Sequence, residues 1–449
     1  VAARRLVVIG GDAAGMSAAS QARRRDADLE IIVYERGEHV SYAACGMPYL
    51  VGGQVSGPER LIARRPEQFA RQNIQVFTGH EVTAIDTEAR EVTVAARGGD
   101  AFVQPYDELL IATGAREVFP EIPGRDAAGV FALRGLASGI AMWEFVNERA
   151  PQHAVVIGGG YIGLEVSEAL RLRGIDTALV HRRAEVMSTL DPDMGVLATQ
   201  ALRDIGVTLH LNESPQALVQ WEGHVSGVVL SKETLSAELV VFGTGARPVS
   251  ELAARAGILL GAQGAIRVDE TMRTAIPHVW AAGDCAETLD GVSGRPVWAP
   301  LGTVANKMGR VAGLNLTGGQ ATFPGVVGTA ITKVGDTEIA RTGLRERDCR
   351  ELSIDHACTT IEDRTRAGYY PGATQITVKL CAEKGSGRLL GAQIVGGPGS
   401  GKRIDTVAAC LTARLTVQDL VDMDLAYAPP FSPVWDPVQT AARVLLSAV

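Results

Sequence analysis

Leu6-Val7-Val8-Ile9-Gly10-Gly11-Asp12-Ala13-Ala14-Gly15 is the stretch that decides the fold of this 449-residue chain. A β-branched apolar run enters a glycine-rich turn. An amphipathic segment follows over Met16 to Arg25, then a second apolar run, Ile31-Ile32-Val33-Tyr34, that ends on the acidic Glu35. Strand, turn, helix, strand and terminal polar residue at this spacing describe one dinucleotide-binding unit. The same order recurs downstream: Ala154 to Ile157, the turn Gly158-Gly159-Gly160-Tyr161-Ile162-Gly163, a helix to about Leu172, and Ala178-Leu179-Val180 ending on His181. Glycines let the backbone approach a pyrophosphate, and a helix N-terminus offers unpaired N–H groups and positive potential. The chain is therefore expected to be α/β, with a doubled nucleotide fold.

The residue closing each second strand reads the ribose. Glu35 can accept from ribose hydroxyls, which suits an adenosine without a 2′-phosphate, and FAD fits that site. Asp12 replaces the middle glycine of the first turn, so its side chain must be turned away from the pyrophosphate. Leu110-Ile111-Ala112-Thr113-Gly114-Ala115 and Val240-Val241-Phe242-Gly243-Thr244-Gly245-Ala246 each end an apolar strand and would mark crossings between two nucleotide domains. Thr274 to Asp284 reads as a strand ending in an acidic residue, where Asp284 can bond a ribityl hydroxyl of FAD. The FAD set is thus Gly10, Asp12, Ala13, Ala14, Gly15, Glu35, Arg36, Ser41, Thr113, Gly114, Gly283 and Asp284. At the second site His181-Arg182-Arg183 stands where an acidic ribose reader would select NADH, and a cationic cluster suits the 2′-phosphate of NADPH, with NADH still possible. That set comprises Gly158, Gly160, Tyr161, Ile162, Gly163, Glu165, His181, Arg182, Arg183 and Gly245.

Cys45, in Ser41-Tyr42-Ala43-Ala44-Cys45-Gly46-Met47-Pro48-Tyr49, places one redox-capable sulfur where a bound flavin would lie. The other five cysteines, Cys285, Cys349, Cys358, Cys381 and Cys410, show no C-x-x-C pair and no zinc-ligand spacing, and the domains are large enough to be stable without disulfides. No metal is expected. Only a thiolate performs sulfur exchange, so the Cys45 pKa should be depressed, by amides of a helix starting at Gly46 and by the flavin environment. With no second cysteine nearby, its oxidised form must be a mixed disulfide, persulfide or sulfenic acid.

These motifs in this order resemble the flavoprotein pyridine nucleotide-disulfide oxidoreductases, and S-x-x-x-C-G-x-P-Y narrows the resemblance to the single-cysteine branch of coenzyme A-disulfide reductases, NAD(P)H oxidases, NADH peroxidases and persulfide reductases. The resemblance covers essentially the whole chain and implies four segments: 1–115 and 246–322 as the two parts of an FAD domain, 116–245 as an NAD(P) domain, and 323–449 as an α+β dimerisation domain. It implies a homodimer with shared active sites. Gln21 and Arg24 match a Q-x-x-R element that holds coenzyme A, Ser41 a binding serine, and Tyr427 with Tyr369 or Tyr370 the tyrosines lent across the dimer, which could protonate or stabilise a leaving thiolate. Tyr161 and Glu165 resemble positions that stack over the flavin and receive the nicotinamide. Ala44 stands where such reductases often have Asn, and a binding lysine expected near Arg71 or Asn73 is missing. Asp12 stands where many peroxidases and oxidases carry a neighbouring His, which counts against a peroxidase. The activity so implied is NAD(P)H-dependent reduction of coenzyme A disulfide or a related disulfide or persulfide. The rivals are a water-forming oxidase using O2 and a non-catalytic redox sensor.

The bulk composition agrees with small-molecule partners. A net charge of −8 disfavours a grip on nucleic acid or an anionic membrane, and no stretch approaches the ~20 apolar residues of a membrane span, so the chain reads as cytoplasmic. Gly396-Gly397-Pro398-Gly399-Ser400-Gly401-Lys402 has phosphate-loop spacing, but Arg403 replaces the Ser or Thr that would hold magnesium, and nucleoside triphosphate binding is rejected.

Overall fold

The computed structural model describes residues 4–449. Three sheets organise it. The first has five strands in the order Val279–Ala281, Glu108–Ile111, Arg5–Ile9, Glu30–Glu35 and Ile74–Thr78. All pairings are parallel, with Val8 opposite Val33 on one side and Leu110 on the other. Their unbroken apolar runs follow from burial on both faces. Leu6, Val7, Val8, Ile31, Val33, Leu109, Leu110 and Ile111 are all fully buried. Helix Ala13–Arg25 leaves the first strand and packs on helix Gly302–Leu316.

The second sheet repeats the plan with Thr208–Leu211, Asp176–His181, His153–Ile157, Leu239–Phe242 and Val130–Ala132, again all parallel. Its helix, Tyr161–Leu172, ends where the sequence places it. The two glycine turns that follow Ile111 and Phe242 lie side by side, because Ala115–Glu117 and Ala246–Pro248 pair as a two-stranded antiparallel ribbon. The chain thus enters and leaves the second unit through one hinge of paired backbone.

The third sheet is wholly antiparallel, in the order Ala330–Val334, Thr337–Gly343, Leu389–Gly396, Gln375–Glu383 and His356–Arg364. Helices Ile404–Thr412 and Pro437–Leu445 cover it, burying Val378, Leu380, Ile394, Val407 and Leu445 completely. Among the described residues no helix is long and apolar enough to cross a membrane.

Two local readings need correction. Cys358 and Cys381 face each other across adjacent antiparallel strands and form a disulfide, so these cysteines are not independent. Their 23-residue separation hides a register that only strand pairing creates. The expected strand over Thr274 to Asp284 shrinks to Val279–Ala281. Its first half is a turn in which the Thr274 amide donates to Val279 O and His278 sits at φ +64°.

Candidate functional site

Both glycine turns are built alike, down to individual atoms. Gly10 and Gly158 sit at φ +106° and +111°, and a Cβ on either would lie 2.2 Å from Ala112 O or 2.4 Å from Gly243 O, so only glycine fits. The next amide in each turn is held by the residue that closes the second strand. Gly11 N–H donates to Glu35 Oε2 at 2.8 Å, and Gly159 N–H donates to His181 Nδ1 at 3.1 Å. The repeat is therefore one of chemistry as well as backbone: an acceptor at the strand end fixes the turn.

That geometry changes the role of His181. It is buried, and burial first, then Arg182 and Arg183, hold its pKa below the ordinary histidine range. Because Nδ1 accepts from the Gly159 amide, that nitrogen carries no proton, and the ring is not the cation expected to face a 2′-phosphate. Arg182 and Arg183 are exposed at the same strand end and keep the positive charge there.

The cradles fit dinucleotides. A Cβ at Gly160, Gly245 or Gly114 would meet nothing within 4 Å, so open space stands over the second turn and over both crossings, where backbone is accessible to a ligand. Asp12 occupies the first-turn position equivalent to Gly160, yet its carboxylate turns aside and accepts the Tyr42 amide at 3.2 Å. Burial raises the Asp12 pKa to about 6, with Glu35 and Asp284 adding to the rise and the Tyr42 amide opposing it. Asp284 follows Gly283, which has φ +84°, and pairs with the Arg134 guanidinium. Burial raises the Asp284 pKa and Arg134 lowers it. Arg134 belongs to no sequence motif, and only the approach of the second unit brings it here. Arg36 is exposed beyond Glu35, and Thr113 donates its hydroxyl to Val249 O at 2.6 Å, joining the two crossings.

Cys45 lies in a short 3-10 turn, Ala44–Gly46, that runs into helix Met47–Val51. The segment is tied down at both ends: Ser41, at φ +48°, donates its amide to Gly11 O and accepts from Ala63 N–H, while Ala43 N–H donates to Leu61 O. The residue is exposed, the only free cysteine that is. Its thiol pKa is raised, contrary to the expected depression. Desolvation by the surrounding walls is the main cause, Glu165 and Asp284 add negative potential, and Arg134 partly offsets them. A helix of five residues starting two positions later does not outweigh that setting. Glu165 is itself held by the Thr332 hydroxyl at 2.9 Å, and burial raises its pKa. The structure thus brings together Cys45, Arg134, Glu165 and Asp284 from four separate segments.

Other predicted residues gather elsewhere. Arg24 donates to Gln21 Oε1 at 2.9 Å on the outer face of helix Ala13–Arg25. Tyr427 and Tyr369 lie at the surface of the third unit, 47% and 78% exposed, with Tyr370 next to Tyr369 in sequence. The charges acting on Cys45 come from Glu165, Arg134 and Asp284, and none of these tyrosines is among them within one chain. Phe431, Val434 and Trp435 are also exposed in this region. In the glycine-rich loop 396–402, Glu338 accepts the Gly401 and Gly399 amides at 2.6 and 3.1 Å, so an internal carboxylate takes the place of a phosphate. No group of three or more His, Cys, Asp or Glu suited to a metal occurs among the described residues.

Comparison with known proteins gives a consistent picture. Residues 4–309 match the family described as pyridine nucleotide-disulphide oxidoreductase, and residues 329–437 match that family's dimerisation domain. The chain is 40% identical over 444 residues to an NAD(P)H coenzyme A polysulfide/persulfide reductase of Pyrococcus horikoshii, covering 98% of each. It is 34% identical over 441 residues to an NADH oxidase of Methanocaldococcus jannaschii, again 98% of each. Among solved structures, reduced Bacillus anthracis CoADR-RHD superposes with a TM-score of 0.95 at 35% identity, over 99% of this chain and 80% of that one.

Proposed function

The chain belongs to the pyridine nucleotide-disulphide oxidoreductase family, and from that membership we propose an FAD-dependent NAD(P)H oxidoreductase that works through Cys45 on coenzyme A disulfide or a related low-molecular-weight disulfide or persulfide. One observation carries the reading. Of the free cysteines, Cys45 alone is exposed, whereas Cys285, Cys349 and Cys410 are buried. The one exposed free cysteine is also one whose thiol feels the charges of Asp284, after Gly283, and of Glu165, on the helix that follows the second glycine turn.

Gly10 to Gly15, Glu35 and Asp284 would hold FAD, and Gly158 to Gly163 with Glu165 would hold the nicotinamide coenzyme. The chemistry a bound flavin supplies is two-electron passage between nicotinamide and sulfur. Cys45 as thiolate attacks one sulfur of the substrate disulfide, forms a mixed disulfide and releases one thiol. Two electrons that originate in NAD(P)H then cleave the mixed bond, so NAD(P)H, one proton and one disulfide yield NAD(P)+ and two thiols. Arg134 is the cation placed to stabilise the Cys45 thiolate against Glu165 and Asp284.

Arg182 and Arg183 support a preference for NADPH, with NADH accepted. The exposed Tyr369, Tyr427, Phe431 and Trp435 support a homodimer in which these tyrosines reach the partner's site. The segments 1–115 with 246–322, 116–245 and 323–449 are assigned as FAD, NAD(P) and dimerisation domains. The identity to an NADH oxidase favours one second reading, a water-forming oxidase on the same residues.

Cys45→Ser tests both. The variant should keep bound FAD and NAD(P)H-driven flavin reduction while losing reduction of coenzyme A disulfide. If the protein is an oxidase, the variant should instead release hydrogen peroxide in place of water. Undiminished disulfide turnover would overturn the assignment of Cys45.

A further inference from the structure

One rung of the third sheet is polar from strand to strand. Arg341 pairs with Gln393, Gln393 with Lys379, and Lys379 with Thr360, so four side chains from four adjacent strands project from the same face. Lys379 and Gln393 are 4% and 2% exposed, an unusual depth for a lysine and an amide.

Each member of the rung meets the loop that leaves the second parallel sheet after His181. Arg341 donates to Thr189 O at 3.3 Å. Gln393 binds Asp191 twice, accepting its amide at 2.7 Å and donating to its carboxylate at 2.6 Å. Lys379 Nζ lies 3.3 Å from Asp191, 3.0 Å from Asp193 and 2.8 Å from Glu346. The Thr360 hydroxyl reaches Asp193 at 3.4 Å. Backbone amides of Glu346 and Arg347 also donate to Asp191, and Arg345 donates to Ser188 O at 2.6 Å. Burial alone would raise the Asp191 pKa, but the Gln393 and Glu346 hydrogen bonds and the Lys379 charge hold it below the usual range.

The same loop closes on the second glycine turn. Met187, at φ +51°, donates its amide to Gly159 O at 2.7 Å, and Val186 packs so closely that a Cβ on Gly159 would lie 2.8 Å from its Cγ1. Rung, loop and turn are therefore mechanically continuous. We propose that Lys379 and Gln393, with Arg341 and Thr360, are positioning residues for the pyridine nucleotide: the third domain holds loop 186–193, and the loop holds the Gly158–Gly163 turn in its binding geometry. This rests on the reading that this turn takes NAD(P)H. None of the four belongs to the second glycine turn or to the Cys45 segment, and their action passes through Asp191 and Gly159. Lys379 is the central member, because its removal leaves Asp191 and Asp193 without a salt-bridge partner among the described residues and Glu346 with Arg350 alone.

The two half-reactions separate this role from a merely structural one. In Lys379→Met, rapid mixing should show the apparent Kd of NAD(P)H for flavin reduction rising roughly tenfold, as expected if the turn is competent about a tenth of the time. Reoxidation of dithionite-reduced enzyme by coenzyme A disulfide should stay within about twofold, since that step uses Cys45 and not the second turn. Lys379→Arg should restore NAD(P)H binding, and Gln393→Leu should reproduce the defect independently. Equal losses in both half-reactions, or no loss in either, would overturn the proposal. Failure of both Lys379→Met and Gln393→Leu to retain FAD would also overturn it, by showing that the rung serves the fold alone. A wild-type flavin that NAD(P)H does not reduce would instead sink the functional reading beneath it.

Discussion

Asp12→Asn should make the flavin-free protein more stable at neutral pH and leave it unchanged in acid. Asp12 has a folded-state pKa of about 6 against an ordinary value of 3.8, chiefly through burial. The folded chain therefore binds this proton more tightly than the unfolded chain, and the resulting stability is complete below about pH 4. It is lost as pH rises through 6. At about 1.4 kcal/mol per pKa unit the full shift corresponds to roughly 3 kcal/mol, and partial access to water reduces the expectation to about 1–3 kcal/mol. Denaturant unfolding of both apoproteins between pH 4 and 8 measures it: the variant should gain on the wild type by that amount across the window. FAD affinity provides a second reading, because an ionised Asp12 beside a pyrophosphate repels it, and the wild type should bind FAD less tightly as pH rises whereas the variant should not. Parallel stability curves would show that Asp12 ionises in the folded chain as it does in water, and the link between its burial and the first turn would fail.

Gly160→Ala should fold normally and keep FAD, since Gly160 has φ −93°, which any residue adopts, and a Cβ there meets only open space. The methyl group should instead raise the KM for NAD(P)H about tenfold or more by intruding on the pyrophosphate, and an unchanged KM would remove the coenzyme from that turn. Changing Arg182 and Arg183 together to Ala should raise the KM for NADPH by roughly tenfold, as expected for loss of one or more charge-assisted hydrogen bonds, while leaving the KM for NADH nearly unchanged. Equal effects on both coenzymes would withdraw the NADPH preference. Mixed dimers carrying Tyr427→Phe in one subunit and Cys45→Ser in the other should regain disulfide reduction at the one site that pairs an intact cysteine with an intact tyrosine, and no recovery would mean that each site is built from a single chain.

The doubled dinucleotide fold, its strand ends and its helix starts were legible along the chain because each depends on residues a few positions apart. Gly10 and Gly158 are dictated by positive φ and close backbone approach, and such local constraints leave a local signature. Cys45 stood out for a similar reason, through its place after the first turn. Protonation and partnership were different matters. His181 looked like a cation beside two arginines, and only burial with a bond to the Gly159 amide shows it neutral at Nδ1. The Cys45 thiol looked activated by a helix, but the walls around it and the charge of Glu165 raise its pKa. Arg134, the Cys358–Cys381 bond and the rung through Lys379 carry no motif at all, since each arises where segments tens to hundreds of residues apart are brought together. Short-range sterics and hydrogen bonding write the backbone pattern into the sequence. Desolvation and charge depend on everything that packs nearby, and tertiary structure alone determines that.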